Sequence, residues 1–218
     1  MSTSVSKEWE SVTGCEIIEG YGLTECSPVV SVNIPGKVRS GTVGHLVPET
    51  ECKVVDDENI EVGSGERGEL WVRGPQVMLG YWSKSGTREK TYSSLDWFKT
   101  GDLVEINEDG YITIVDRKKD MILVSGFNVF PNEVEDWVNQ YPAVLESAAI
   151  GVACEKTGEL IRLFVVVSEA GVTEEELLSH CRKGLTAYKV PKEILFVKEL
   201  PKSNIGKILC RELRKQTI

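Results

Sequence analysis

Histidine is nearly absent from this 218-residue chain: it has two, His45 and His180. That argues against a His-built zinc centre and against a nucleophile–histidine pair. Cysteine does not fill the gap. The six cysteines, Cys15, Cys26, Cys52, Cys154, Cys181 and Cys210, show no metal-ligand spacing and read as free thiols rather than disulfides. No long hydrophobic run is present. The longest aliphatic stretch lies around Leu163–Val167, far short of the roughly 20 residues a membrane-spanning helix needs. The opening "MSTSVSKEWE" lacks the apolar centre of a signal peptide, so the expected location is cytoplasmic. Repeats and low-complexity segments are missing as well. The basic C-terminal stretch is too sparse, and its only aromatics, Tyr188 and Phe196, too few for a nucleic-acid surface.

What remains is an ordinary globular composition, 41% hydrophobic and 27% charged, long enough for one large domain or two small ones. The net charge of −9 is unevenly placed. From Arg182 onward ten Lys or Arg face three Glu, a local +7, whereas residues 1–181 carry 15 basic and 31 acidic groups, a local −16. A basic tail beside an acidic body suggests an anionic ligand near the C-terminus; the plain reading, favoured by the charge pattern alone, is a solvated face.

Residues 40–116 read as β-rich. "ECKVVDD" and "GELWVRG" are short apolar or β-branched runs between turn residues, and "DLVEINEDGYITIVD" reads as a hairpin in which Asp109-Gly110 tolerates positive φ in a tight turn. After Asp116 the texture changes. "PNEVEDWVNQYP" is a helix with Pro131 in its first turn and Val134, Trp137, Val138 and Tyr141 on one face. "SAAIGVA" and "LIRLFVVV" are buried strands, and Thr173 with Glu176 forms a capping box ahead of Leu177, Leu178, Cys181 and Leu185. The expected fold class is α/β to α+β: a β-rich unit over 1–116, then a small α+β unit over 117–218, with the joint near 116–120.

Four stretches carry candidate chemistry. In "EGYGLTECSP" (19–28) the Gly20-Tyr21-Gly22 loop lets backbone approach a ligand, Thr24 offers a hydroxyl to a phosphate, and Glu25 offers a hard oxygen to Mg²⁺; the plain reading is a turn with a core tyrosine. In "WFKTGD" (97–102) Asp102 follows a tight turn and could bind both hydroxyls of a ribose, or simply begin a strand. "DRKKDMILVSGFNVFPNEVE" (116–135) joins three cations to an apolar strand and a glycine loop, or is a solvated linker. "LPKSNIGKILCREL" (200–213) resembles a phosphate-binding loop but lacks its first glycine, having Pro201 there, and has Ile208 where Ser or Thr should follow Lys207. Alone, that lysine reads as a surface turn residue.

Taken together, in order and wording, these stretches resemble the adenylate-forming acid–thiol ligases, most closely the long-chain fatty-acyl-CoA synthetases. The resemblance runs from about Glu19 to Arg214 and includes "GELWVRGPQVMLGYW" at 68–82 and "SGFNVFPNE". It implies ATP, Mg²⁺ and coenzyme A as cofactor or co-substrates, and a fatty acid as substrate. It also implies residue roles. Tyr21, flanked by Gly22, would stack on adenine, Thr24 would contact the α-phosphate, and Glu25 would hold Mg²⁺. Asp102, helped by Arg117, would bind the ribose hydroxyls. Lys119 would be the hinge of the C-terminal domain, Gly126 would line the pantetheine passage, and Lys207 would reach the acyl carboxylate and α-phosphate. Residues 1–116 would be the end of the large AMP-binding domain and 117–218 the small mobile domain. Peripheral contact with the inner face of the membrane suits a fatty-acid enzyme, although no amphipathic anchor is evident.

The sequence departs from the family wording in two ways. "LDW" (95–97) replaces the usual "NGW" before the TGD motif, and residues 1–18 contain nothing like the family's Ser/Thr/Gly-rich phosphate loop. By itself the chain is therefore expected to be incomplete as an enzyme. Two other readings stand beside the CoA ligase: an adenylating enzyme that loads a carrier protein, and a non-catalytic binding or regulatory module. Oxygen chemistry of the luciferase kind is disfavoured, because the strand "MILVSG" lacks the lysine those enzymes carry.

Overall fold

The computed structural model describes residues 3–84, 86, 88, 89, 97–168, 171–204 and 206–215. Leu95 and Asp96 of the "LDW" departure, and Ile205 of "PKSNIGK", lie outside them. The chain divides into two compact units, Met1–Lys118 and Lys119–Ile218.

The first unit opens with helix α1 (Thr3–Thr13), which the sequence pattern does not announce; its Val5, Trp9 and Val12 are exposed. Strands β1 (Gly20–Gly22), β2 (Val29–Val32) and β3 (His45–Leu46) form a three-stranded antiparallel sheet. Strands β4 (Glu51–Val55) and β5 (Arg67–Arg73) belong to a second, four-stranded sheet, whose other members are β8 (Phe98–Ile106) and β9 (Ile112–Arg117), in the order β4-β5-β8-β9. Between them lies the small pair β6 (Tyr81–Trp82) and β7 (Arg88–Glu89). Alternation along β5 explains the layering: Leu70 and Val72 enter the core with Val54, Phe98, Val104 and Ile112. Trp71 turns to the opposite face, where the Lys53 and Lys99 ammonium groups lie 4.7 and 4.2 Å from its ring.

Two features of β8 differ from expectation. The connection to β9 makes the expected hairpin, but only Gly110 of the Asp109-Gly110 pair takes a positive φ. It spans 107–111, and in it Gly110 takes φ +82° while Asp109 is not left-handed. The Asp109 carboxylate instead receives Arg39 at 3.0 Å, and Tyr111 N–H donates to Asn107 Oδ1 at 2.9 Å. The TGD stretch also does not precede the strand but lies inside it. Glu69 pairs with Leu103 and Trp71 with Lys99, so Thr100–Asp102 bulge relative to β5, while Asp102 stays paired with Arg117 of β9. Gly101 accommodates the bulge at φ +73°.

In the second unit, β10 (Ile122–Val124) and β11 (Phe127–Val129) form a hairpin at one edge of a sheet ordered β11-β10-β13-β12. Strand β13 (Gly158–Val167) is its centre: it pairs antiparallel with the long strand β12 (Val144–Cys154) and parallel with β14 (Glu193–Phe196). Both faces are covered, which is why β12 and β13 read as continuous apolar runs. Ala149, Ile161, Leu163 and Val165 pack with Val134 and Val138 of α2 (Pro131–Val138) and with Leu177 and Cys181 of α3 (Glu174–Gly184). Ala148, Ile150, Phe164 and Val166 pack on the other face with Leu200 and with Leu213 of the one-turn helix α4 (Cys210–Leu213). Pro131 opens α2, and the Thr173–Glu176 capping box opens α3. The two helices meet so closely that a Cβ on Gly184 would sit 2.0 Å from the Trp137 ring.

Candidate functional site

The first unit gathers three residues from three separated motifs. Asp102 closes the bulge in β8, and Thr100 fixes it: the Thr100 hydroxyl donates to Leu70 C=O at 2.8 Å and accepts from Asp102 N–H at 3.1 Å. Asp102 is 4% exposed, and a carboxylate so buried needs partners. It has two. The Tyr21 hydroxyl donates to Oδ2 at 2.5 Å, and Arg117, opposite Asp102 in the β8–β9 register, brings Nε to 3.4 Å from Oδ1. Burial, then the bond to Asp102, pushes the Tyr21 phenol far above its ordinary pKa, so it remains a donor. A carboxylate has about four lone-pair sites, and two are engaged here. The remainder can accept two further hydroxyls, the arrangement of a vicinal diol.

Tyr21 is positioned by tight backbone packing. A Cβ on Gly22 would lie 1.9 Å from Pro28 O, and Leu23 N–H donates to that same oxygen at 2.8 Å. The glycine is thus required by close approach of two backbone segments. Thr24–Cys26 form one 3₁₀ turn immediately after, with Thr24 exposed and Cys26 buried. Glu25 Oε1 accepts from the Tyr81 hydroxyl at 2.5 Å, and Glu25 C=O accepts from Met78 N–H at 2.8 Å. That hydrogen bond, then slight burial, raises the Tyr81 pKa. No group of three or more His, Cys, Asp or Glu residues arranged to hold a metal occurs among the described residues. Glu25 is a lone carboxylate, which fits Mg²⁺ held by one carboxylate together with phosphate oxygens and water.

The other candidates belong to the junction and the second unit. Lys119 is exposed in the 3₁₀ turn Lys118–Asp120. Ser125 and Gly126, at φ +53° and +84°, form the two-residue turn between β10 and β11, with Val124 opposite Phe127. Nothing lies within 4 Å of a Cβ on Gly126, so the φ value rather than crowding favours glycine there. Lys207 does not sit on a loose loop. Ser203 N–H donates to Lys207 C=O at 2.8 Å, Lys207 N–H donates to Ser203 Oγ at 3.2 Å, and Lys202 bridges Ile208. Its side chain projects from this closed loop into solvent.

Tyr21, Asp102 and Arg117 are therefore in direct contact, and Thr24 and Glu25 follow Tyr21 within one turn. Sequence reasoning missed Tyr81, whose position in "GYW" gives no local sign of a partner 56 residues away. It also missed the bonding of Lys118 to Glu69 and Asp57.

Comparison with known proteins returns two family models. The AMP-binding enzyme model matches residues 1–82, and the AMP-binding enzyme C-terminal domain model matches residues 133–207. A curated long-chain-fatty-acid–CoA ligase of Yersinia pestis is 54% identical over 216 residues, which cover 99% of this chain and 38% of the relative. Among solved structures, ATP-bound MatB from Rhodopseudomonas palustris matches at 33% identity with TM-score 0.91, over 97% of this chain and 42% of that one. The anthranilate CoA ligase AuaEII in complex with anthranoyl-AMP matches at 35% identity with TM-score 0.86, over 98% and 42%. The chain thus spans about 38% of the length of the curated relatives it matches.

Proposed function

The chain belongs to the AMP-binding enzyme family, and on that premise we propose that it forms the adenylate-handling and C-terminal part of an ATP-dependent long-chain fatty acid–CoA ligase. The observation that carries the reading is the buried Asp102 carboxylate, reached by Tyr21 and Arg117 from two separate motifs and left with acceptor capacity for a ribose. In the first half-reaction a fatty-acid carboxylate oxygen attacks the α-phosphorus of ATP, and pyrophosphate leaves. In the second the CoA sulfur attacks the acyl carbonyl, loses its proton, and AMP leaves.

The residue assignments follow. Asp102 accepts from both ribose hydroxyls with Arg117 beside it, while Tyr21 keeps its hydroxyl on Asp102 and offers its ring to adenine. Thr24 donates to the α-phosphate, and Glu25 supplies one oxygen to Mg²⁺. Lys207 neutralises charge gathering on the phosphoryl oxygens, a role suited to a compact cation on a long stem. Gly126, in its left-handed turn, borders the path of the CoA thiol. The first unit, through Lys118, is the end of the large domain and Lys119–Ile218 the small domain, which turns about 116–120, with Lys119 as pivot, between the two steps. CoA is preferred over a carrier protein as acceptor because the curated relatives are named CoA ligases.

The test joins these 218 residues in frame to the upstream part of the Yersinia pestis relative. The spliced ligase should release pyrophosphate and form acyl-CoA when given ATP, Mg²⁺, CoA and a long-chain fatty acid. A folded spliced chain that does neither overturns the proposal.

A further inference from the structure

The boundary between the two compact units falls between Lys118 and Lys119, and the residues flanking Lys119 are tied in opposite directions. Lys118 Nζ lies 3.0 Å from Asp57 Oδ1 and 3.3 Å from Glu69 Oε2, both in the first unit. Glu69 is no ordinary surface partner. It sits mid-strand in β5 beside fully buried Leu70 and is itself 7% exposed. A buried carboxylate in that position requires a cation, so the Lys118 bond is far harder to give up than an exposed ion pair. Partial burial opposes the charge on Lys118, yet hydrogen bonds and attraction from Asp57 and Glu69 more than offset it and raise the lysine pKa. On the other side, Asp120 Oδ1 receives Arg214 Nη2 at 2.9 Å within the second unit, and Ile122 is buried two residues later. Lys119 between them is exposed, and its side chain makes no hydrogen bond or ion pair among the described residues.

We infer that Lys118 is a positioning residue: with Asp57 and Glu69 it clamps the chain where it leaves the first unit, and with Asp120–Arg214 on the far side it confines backbone rotation between the units to Lys119. The clamp has a second effect. Lys118 follows Arg117, so pinning it keeps the end of β9 paired and holds Arg117 opposite Asp102. Without it the end of β9 frays, the pivot widens from one residue to several, and the guanidinium loses its fixed place. The importance of this for ligation rests on the function proposed above, but the clamp itself does not.

The test therefore uses the 218-residue chain and needs no activity. Amide hydrogen exchange is followed across 113–120, together with limited trypsin digestion, which can cut after Arg117, Lys118 or Lys119. In the natural sequence the first cut is expected after Lys119. In a D57N/E69Q double variant, which keeps every trypsin site, exchange at 115–118 and cutting after Arg117 and Lys118 should each rise about tenfold or more. Lys118→Arg should retain the natural exchange pattern and Lys118→Met should lose it, and that pair carries the test if Glu69→Gln unfolds the first unit. Unchanged exchange and cleavage in folded charge-neutral variants would overturn the clamp. In the spliced ligase Lys118→Met should lower kcat with Lys118→Arg restoring it. An inactive spliced ligase would count against the proposed function while leaving the exchange result intact.

Discussion

Asp102→Asn separates the structural and ligand-binding duties of one side chain. In the folded protein the carboxylate accepts a 2.5 Å bond from Tyr21 and faces Arg117 at 3.4 Å. Asparagine is nearly isosteric, and its Oδ1 can still accept from Tyr21. What is lost is the charge assistance of that bond: a hydrogen bond to a charged group is worth roughly 1.5–3 kcal/mol against about 1 for a neutral pair. The Arg117 contact adds little, because that guanidinium is 55% exposed. The first unit should therefore lose about 1–2 kcal/mol and remain folded, which corresponds to a urea midpoint lower by roughly 0.5–1 M. The cost to nucleotide binding is larger. A carboxylate accepts from two ribose hydroxyls at once, whereas asparagine has one acceptor oxygen and presents donors on the other side. Losing one charge-assisted bond of about 1.5–3 kcal/mol weakens AMP by about 10- to 150-fold. Calorimetric titration of the spliced ligase with AMP and 2′-deoxy-AMP reads this directly: the natural residue should favour AMP strongly, and the variant should discriminate much less. Equal discrimination by both, or AMP affinity within twofold in a folded variant, would refute the ribose role.

Other consequences can be measured on the chain as it stands. Gly22→Ala places a methyl group 1.9 Å from Pro28 O, a backbone atom that cannot swing aside, and overpacking of this kind costs about 1–3 kcal/mol; an unchanged urea midpoint would contradict the described packing of β1 on 28–29. Thr173→Ala removes the oxygen that caps α3 and should cost about 1 kcal/mol, read as a lower unfolding midpoint of the second unit. Backbone and side-chain hydrogen bonds from Thr173 hold Glu176 below the usual carboxylate range. A depressed folded pKa gives stability that is present above about pH 4.3 and fades as pH falls through the folded value, so Thr173→Ala should flatten the acid limb of the stability curve.

The legible parts of the fold are those fixed by neighbours in sequence. Pro131, the Thr173–Glu176 box and the uninterrupted runs of β12 and β13 each declare their structure within a few residues, and each is found as expected. The hairpin at Asp109-Gly110 was legible, and Gly110 takes the positive φ; Asp109 does not, and its carboxylate faces Arg39, 70 residues away. The Thr100–Asp102 bulge was invisible, since it exists only relative to β5. At the candidate site, Tyr21, Asp102 and Arg117 lie in stretches the sequence singled out, but their contacts through Asp102 depend on strand register. Tyr81 and Lys118 had no local signal, because their meaning comes from Glu25 and from Glu69 and Asp57, which lie 56, 49 and 61 residues away in the chain.

The central claim, that this chain handles an acyl-adenylate and uses different groups in the two half-reactions, is tested most directly at Lys207. Lys207→Ala in the spliced ligase removes one exposed ammonium from a closed, hydrogen-bonded loop, so the fold should be unaffected. Pyrophosphate release driven by fatty acid should fall by about 10²–10³-fold, the usual effect of removing one group that stabilises transition-state charge. Thioester formation from supplied acyl-adenylate and CoA should stay within a few-fold of the unsubstituted spliced ligase. Equal loss in both half-reactions, or no loss in either, would contradict the account.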